Sequence, residues 1–200
     1  MPERTRTSDG ERDPASLYFE LFPFAGDRRT DWYRWDYGFH TLLVLDSCSP
    51  MQPGSEQYDW LAQQLRSPRR KFTILAFHHA VFTSGPHGRL GDDGEPVEEP
   101  IRVARRDWRP LFEKYGVDLV LHGHDHFYER SAYRGVQYVV TGGAGAPLYD
   151  FGRAPNPHRA KAEKSHHYCR ITITPTRLSL EAVRPDGRVF DSFFIRKPEK

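Results

Sequence analysis

Three short, largely apolar runs, each ending in polar residues, constrain this chain more than any other feature. They are residues 40–45 (HTLLVL), 72–77 (FTILAF) and 117–121 (VDLVL). Asp46-Ser47 follows the first, His78-His79 the second and His122-Gly123-His124-Asp125-His126 the third. Runs of that length without alternation read as strands buried on both faces. The segments between them read as helices. Ser55 is placed to cap one, with Tyr58, Leu61, Ala62 and Leu65 on a single stripe and Pro68 at its end. A second is expected over residues 107–115, with Trp108, Leu111, Phe112 and Tyr115 on one face and Gly116 as its C-cap. Residues 83–106 show no apolar period and read as a long loop, a feature usually functional or mobile in a compact domain. Residues 32–37 alternate as a strand. Residues 137–141, 167–174, 177–183 and 189–195 read as a later run of strands, with turns at Pro175-Thr176 and Pro185-Asp186-Gly187. The pattern is α/β: two packed sheets with helices on an outer face.

Length and composition narrow the function classes. Two hundred residues make one domain or two very small ones. Residues 1–16 are polar and aperiodic and are expected to form a disordered leader, leaving 17–200 as the domain. Residues 18–22 are apolar and aromatic and stop at Pro23. A net charge of +2 suggests no nucleic-acid partner. No apolar run reaches the roughly 18 residues of a membrane span, and no apolar region follows Met1 as in a signal peptide. Cys48 and Cys169 are too few for a disulfide framework or a cysteine zinc site, and their pairing is open.

The chemistry concentrates at the strand ends, where α/β sheets bind ligands. Of ten histidines, several cluster there. On an extended backbone His124 and His126 would leave on the same side, and Gly123 would permit close approach. With His78 from the neighbouring strand end they offer three neutral nitrogen ligands to a divalent ion. Any one of these histidines alone would read as a hydrogen-bonded surface residue; the combination points to a metal. Asp46 is expected to cap its turn, Asp125 and His122 to point away from the ligands, and Asp92-Asp93 to be solvated. Glu129-Arg130 is expected to pair and orient the histidine segment. His40 and His166-His167 read as structural, and the 142–145 glycine run does not read as a nucleotide loop.

Gly123-His124-Asp125-His126-Phe127-Tyr128-Glu129-Arg130 resembles the G-H-x-H-x-Y-E-R signature of the purple acid phosphatases, within the calcineurin-like metallophosphoesterases. Residues 78–84 (HHAVFTS) resemble that family's H-x-P-x-Y-x-S segment, with Ala80 in place of Pro. Residues 32–38 (WYRWDYG) resemble its W-Y-S-F-D-Y-G strand, and 141–145 (TGGAG) its T-G-G-x-G segment. The resemblance implies a four-layer α-β-β-α sandwich of two mixed sheets with outer helices. It also implies a two-metal phosphoester hydrolase using Fe, Zn or Mn. His78 and His124 would bind one ion and His126 the other, and His87 would contact phosphate.

The family's D-x-H, G-D-x-x-Y and G-N-H motifs, which supply the bridging Asp, a second carboxylate and an Asn ligand, are not found. The chain is therefore expected to correspond to the C-terminal half of the catalytic domain, with at most one ion bound. Its partners would be a phosphorylated small molecule and the missing N-terminal half, and its parent could be secreted or periplasmic. Two functions compete: a phosphoester hydrolase carrying half its site, and a mononuclear three-His module without phosphatase turnover. A metal-free structural remnant is the third outcome.

Overall fold

The computed structural model describes residues 31–153 and 156–199. The expected leader and the apolar segment at 18–22 lie outside them. A seven-stranded mixed sheet has the order β1-β2-β3-β4-β6-β5-β7. Its strands are β1 (Tyr33–Tyr37), β2 (His40–Val44), β3 (Phe72–Ala76), β4 (Leu119–His122), β5 (Tyr128–Tyr133), β6 (Val136–Thr141) and β7 (Arg159–Glu163). β2, β3, β4 and β6 run parallel. β1, β5 and β7 add antiparallel edges. A three-stranded antiparallel sheet is built from β8 (Tyr168–Ile173), β9 (Arg177–Val183) and β10 (Val189–Arg196).

Successive strand residues face opposite sides of a sheet, and that alternation builds two cores. Leu43, Leu75, Val120 and Tyr138 pack toward the helices with Leu61, Leu65, Trp108 and Phe112. Phe72, Ile74, Leu119, Tyr128 and Val139 pack toward the smaller sheet, against Leu178, Leu180 and Ala182. The described residues thus form three layers: helices, large sheet, small sheet. Asp191 of β10 ties the sheets together, accepting from the Tyr128 hydroxyl (2.7 Å) and from Arg130 Nε (2.7 Å).

Helix α1 (Glu56–Arg66) forms as its stripe predicts. Ser55 Oγ accepts from the Tyr58 N–H, and Leu61, Ala62 and Leu65 are buried. Its buried Gln57 accepts from the Asp46 N–H at 2.7 Å and donates to the Asp46 carbonyl at 2.8 Å, anchoring the end of β2. The Asp46 carboxylate caps the turn, accepting from the Cys48 N–H and the Ser49 hydroxyl.

The second helical region differs from expectation. It begins at α2 (Glu99–Val103), passes through a π-helical turn (Ala104–Trp108) and ends in α3 (Arg109–Lys114). The loop is shorter by about two turns because Ile101, Ala104, Trp108 and Phe112 make a buried stripe that the four intervening arginines obscure. Gly116 takes φ +63° after the helix, as its capping position predicts. β5 and β7 are unforeseen strands. β5 buries Glu129 and Ser131, so it lacks a hydrophobic alternation, and β7 (RAKAE) is an exposed edge of helix-forming residues. Both cysteines are free thiols. No helix among the described residues is long and apolar enough to cross a membrane.

Candidate metal centre

The carboxyl ends of β3 and β4 lie side by side because the strands are parallel and in register, with Ala76 opposite Leu121. The Gly123 N–H then donates to the His78 carbonyl at 3.0 Å, fastening the two strand ends together. Beyond Gly123 the backbone is not extended, contrary to expectation. The Asp125 N–H donates to the Gly123 carbonyl at 2.9 Å, closing a three-residue turn centred on His124. His124 sits at φ +70° in that turn, the rare and strained form of a γ-turn. A non-glycine residue in that region costs about 1–2 kcal/mol, and such strain collects at functional sites. A second three-residue turn follows, from the Phe127 N–H to the Asp125 carbonyl at 3.0 Å.

The turn aims His124 between two partners. Its Nδ1 lies 2.9 Å from His78 Nε2. Its Nε2 lies 2.8 Å from Glu98 Oε2. Glu98 Oε1 meets His87 Nδ1, and the His87 and His124 ring centroids are 3.8 Å apart. His79 is buried, with Nδ1 2.8 Å from Ser47 Oγ and its ring 4.4 Å from that of His124. His79, Glu98 and His124 each bring a possible ligand atom within 4.8 Å of the others.

The electrostatics disfavour a charge on His78, His79 and His124. Burial, reinforced by His124 and His87, pushes His78 down to about 4. Burial and its histidine neighbours likewise take His79 to about 4. His124 is lowered by burial against the opposing pull of Glu98. Burial raises the Glu98 carboxyl, but the hydrogen bonds from His87 and His124 outweigh it and hold it below the usual carboxylate value. Neutral imidazole nitrogens beside an ionised carboxylate are the donor set that Zn²⁺ or Fe accepts. Two nitrogens bonded to one tetrahedral ion at about 2.0–2.1 Å lie about 3.3 Å apart. The observed 2.9 Å between His78 and His124 is a hydrogen bond shorter than that spacing, so an ion seated there would part the two rings and take the proton's place.

Of the expected site residues, His78, His124 and His87 converge. His126 is placed differently: its ring stacks on Tyr149 at 4.0 Å and its Nδ1 lies 2.9 Å from the Pro147 carbonyl. Glu129 and Arg130 do not pair with each other, because neighbours on a strand point to opposite faces. Glu129 is buried and accepts from the Ser84 N–H (2.7 Å) and Asn156 Nδ2 (2.7 Å), holding the loop that carries His87. Arg130 serves the contact between sheets instead. Asp125 turns away from the ligands as expected and accepts from the Thr83 hydroxyl at 2.6 Å, a second tether on that loop. His122 is buried edge-on against Phe77, and burial pushes its pKa down to about 3. His167 is buried beside Thr141 Oγ1, a structural role.

Glu98 and His79 were the residues that sequence reasoning passed over. Glu98 had one signal: Pro100 just beyond it marks a helix start.

The glycine run backs the turn. A Cβ on Gly142 would stand 2.2 Å from the Asp125 carbonyl oxygen, and one on Gly143 would stand 2.6 Å from the Ser165 carbonyl oxygen. Gly142→Ala should therefore displace the strained turn. The expected cost is about 1–3 kcal/mol by urea denaturation, as for other overpacked sites. Unchanged stability would mean that the segment yields freely.

A family model described as calcineurin-like phosphoesterase matches residues 9–128. The chain belongs to that family. A second model, iron/zinc purple acid phosphatase-like protein C, matches residues 135–192. The Arabidopsis thaliana protein named probable inactive purple acid phosphatase 24 is 29% identical over 206 residues, covering 92% of this chain and 33% of the relative. Acid phosphatase type 7 of Mus musculus is 28% identical, covering 92% and 50%. The solved purple acid phosphatase PPD1 of yellow lupin (Lupinus luteus) superposes with a TM-score of 0.75 at 27% identity, over 86% of this chain and 34% of that one. The chain spans about a third to a half of the length of these relatives. The names of the two curated relatives differ on activity, one inactive and one a phosphatase.

Proposed function

We propose that this chain binds one metal ion through His78 and His124 and forms a metal-dependent phosphoester hydrolase site for a phosphorylated small molecule. The observation that carries this reading is the 2.9 Å approach of His78 Nε2 and His124 Nδ1. Family membership supports the reaction class. Zn²⁺, Fe or Mn bound there would act as a Lewis acid on a phosphoryl oxygen and offset its charge.

The protein's own groups supply the rest. His87, on the 3₁₀ turn Pro86–Gly88, is held beside His124 with its Nδ1 on Glu98. Its Nε2 is the ring nitrogen left to accept a hydrogen bond from a phosphate hydroxyl. Thr83, Ser84, Asp125 and Glu129 fix the loop that carries it. His126, set on Tyr149, is the ligand available to a second ion.

One observation favours the competing module. The nearby Asp46 and Asp125 carboxylates are already committed, one to a turn and the other to Thr83. Neither is free to bridge two ions. Hydrolysis of an aryl phosphate by the chain loaded with Zn²⁺, Mn²⁺ or Fe separates the readings. Turnover that a chelator removes and that His87→Ala lowers at unchanged metal content supports the hydrolase. One bound ion without turnover overturns it in favour of the mononuclear module.

A further inference from the structure

We infer that Glu98 is the positioning residue of the site: a single carboxylate that fixes the tautomers of both His124 and His87. The inference rests on the metal-site reading above and deepens it.

Both oxygens of Glu98 are used on imidazoles, Oε2 on His124 Nε2 and Oε1 on His87 Nδ1. A carboxylate only accepts hydrogen bonds, so each of those ring nitrogens carries the proton. His124 is thereby an Nε2–H tautomer, and its Nδ1 lone pair faces His78. His87 is an Nδ1–H tautomer, the form a free imidazole favours less, and its Nε2 is left with a lone pair. One proton arrangement satisfies the whole chain: His78 Nε2–H donates to His124 Nδ1, His124 Nε2–H donates to Glu98, and His87 Nδ1–H donates to Glu98.

Two further observations separate this role from a capping or surface role. Glu98 occupies the N-cap position of α2, yet its side chain makes no capping hydrogen bond. It forgoes the local bond that such a position offers. Its two oxygens also contact opposite ends of the group. Oε2 lies on the far side of the His124 ring from His78, so an ion held between His78 and His124 Nδ1 is out of its reach. Carboxylates that hold the distal nitrogen of a ligating histidine are typically worth about 10–100-fold in metal affinity.

The test uses the whole chain, with histidines labelled with ¹⁵N and metal removed, and reads tautomers from two-bond ¹H–¹⁵N correlations. The native chain should show His87 as Nδ1–H and His124 as Nε2–H. In Glu98→Ala, His87 should lose its Nδ1–H preference and the Zn²⁺ dissociation constant should rise about 10–100-fold. Glu98→Gln can accept from only one imidazole through its single carbonyl oxygen. It should keep one tautomer, lose the other, and weaken Zn²⁺ less than Glu98→Ala.

Unchanged tautomers in both variants overturn the inference, whatever the metal result. Complete loss of Zn²⁺ in both variants with native tautomers overturns it in favour of direct ligation. A native chain that takes up no Zn²⁺ defeats the metal-site reading, while the tautomer result still decides the role of Glu98.

Discussion

Trp108→Ala is expected to lower stability by about 3–5 kcal/mol, the cost of removing a large buried aromatic side chain. The indole is fully buried on the π-helical turn, edge-on to Phe77 with centroids 5.0 Å apart. Its Nε1–H donates to the Met51 carbonyl at 2.9 Å. The substitution leaves a cavity between helix and sheet and a buried carbonyl without its partner, each a recognised source of large losses. Against a typical total of about 5–15 kcal/mol, that is a large fraction. The urea midpoint should fall with little change in slope. Trp108→Phe keeps most of the apolar area and should lose much less. A Trp108→Ala midpoint within error of the native chain would mean that the helices are not seated on this core. Phe77 leads directly into His78, so the same substitution should also loosen the candidate metal centre.

His124→Ala should abolish metal binding, an effect larger than the 10–100-fold expected for a supporting residue. The ring provides one of the two nitrogens that face each other at 2.9 Å, and alanine provides none. Alanine also inherits the strain at φ +70° without any ligand to justify it. His124→Gly loses the ring as well but adopts that backbone freely. The glycine variant should therefore be about 1–2 kcal/mol more stable than the alanine variant. Equal stability of the two in thermal or urea unfolding would show that the turn relaxes once the ring is gone. The comparison isolates the backbone cost that the chain carries to place one imidazole.

The central sheet could be read from the chain because burial on both faces leaves a continuous apolar run. The strands at 40–44, 72–76 and 119–122 and helix α1 follow from that rule and from the Ser55 cap. β5 was hidden because its inward positions are Glu129 and Ser131, which are buried by hydrogen bonding rather than by hydrophobicity. The start of α2 was hidden because arginines interrupt its apolar stripe. At the site, the types and neighbourhood of His78 and His124 were readable from their place beyond strand ends, whereas His87, on the loop turn Pro86–Gly88, came only from the family resemblance. The γ-turn was not, since no local pattern announces a histidine at positive φ. The extended backbone assumed in its place put His126 beside His124, whereas the second turn sends it to Tyr149. Glu98 stands 26 residues before His124 and reaches it only through the folded loop, a tertiary fact that spacing does not encode.

The central claim is that His78 and His124 hold one metal ion together. Its most direct measurement is the metal content of the purified chain after Zn²⁺ loading and exhaustive dialysis, compared with the His78→Ala/His124→Ala double variant. The account predicts one ion per native chain and none in the folded double variant. A double variant that retains the native metal content, or a native chain that retains none, would contradict it.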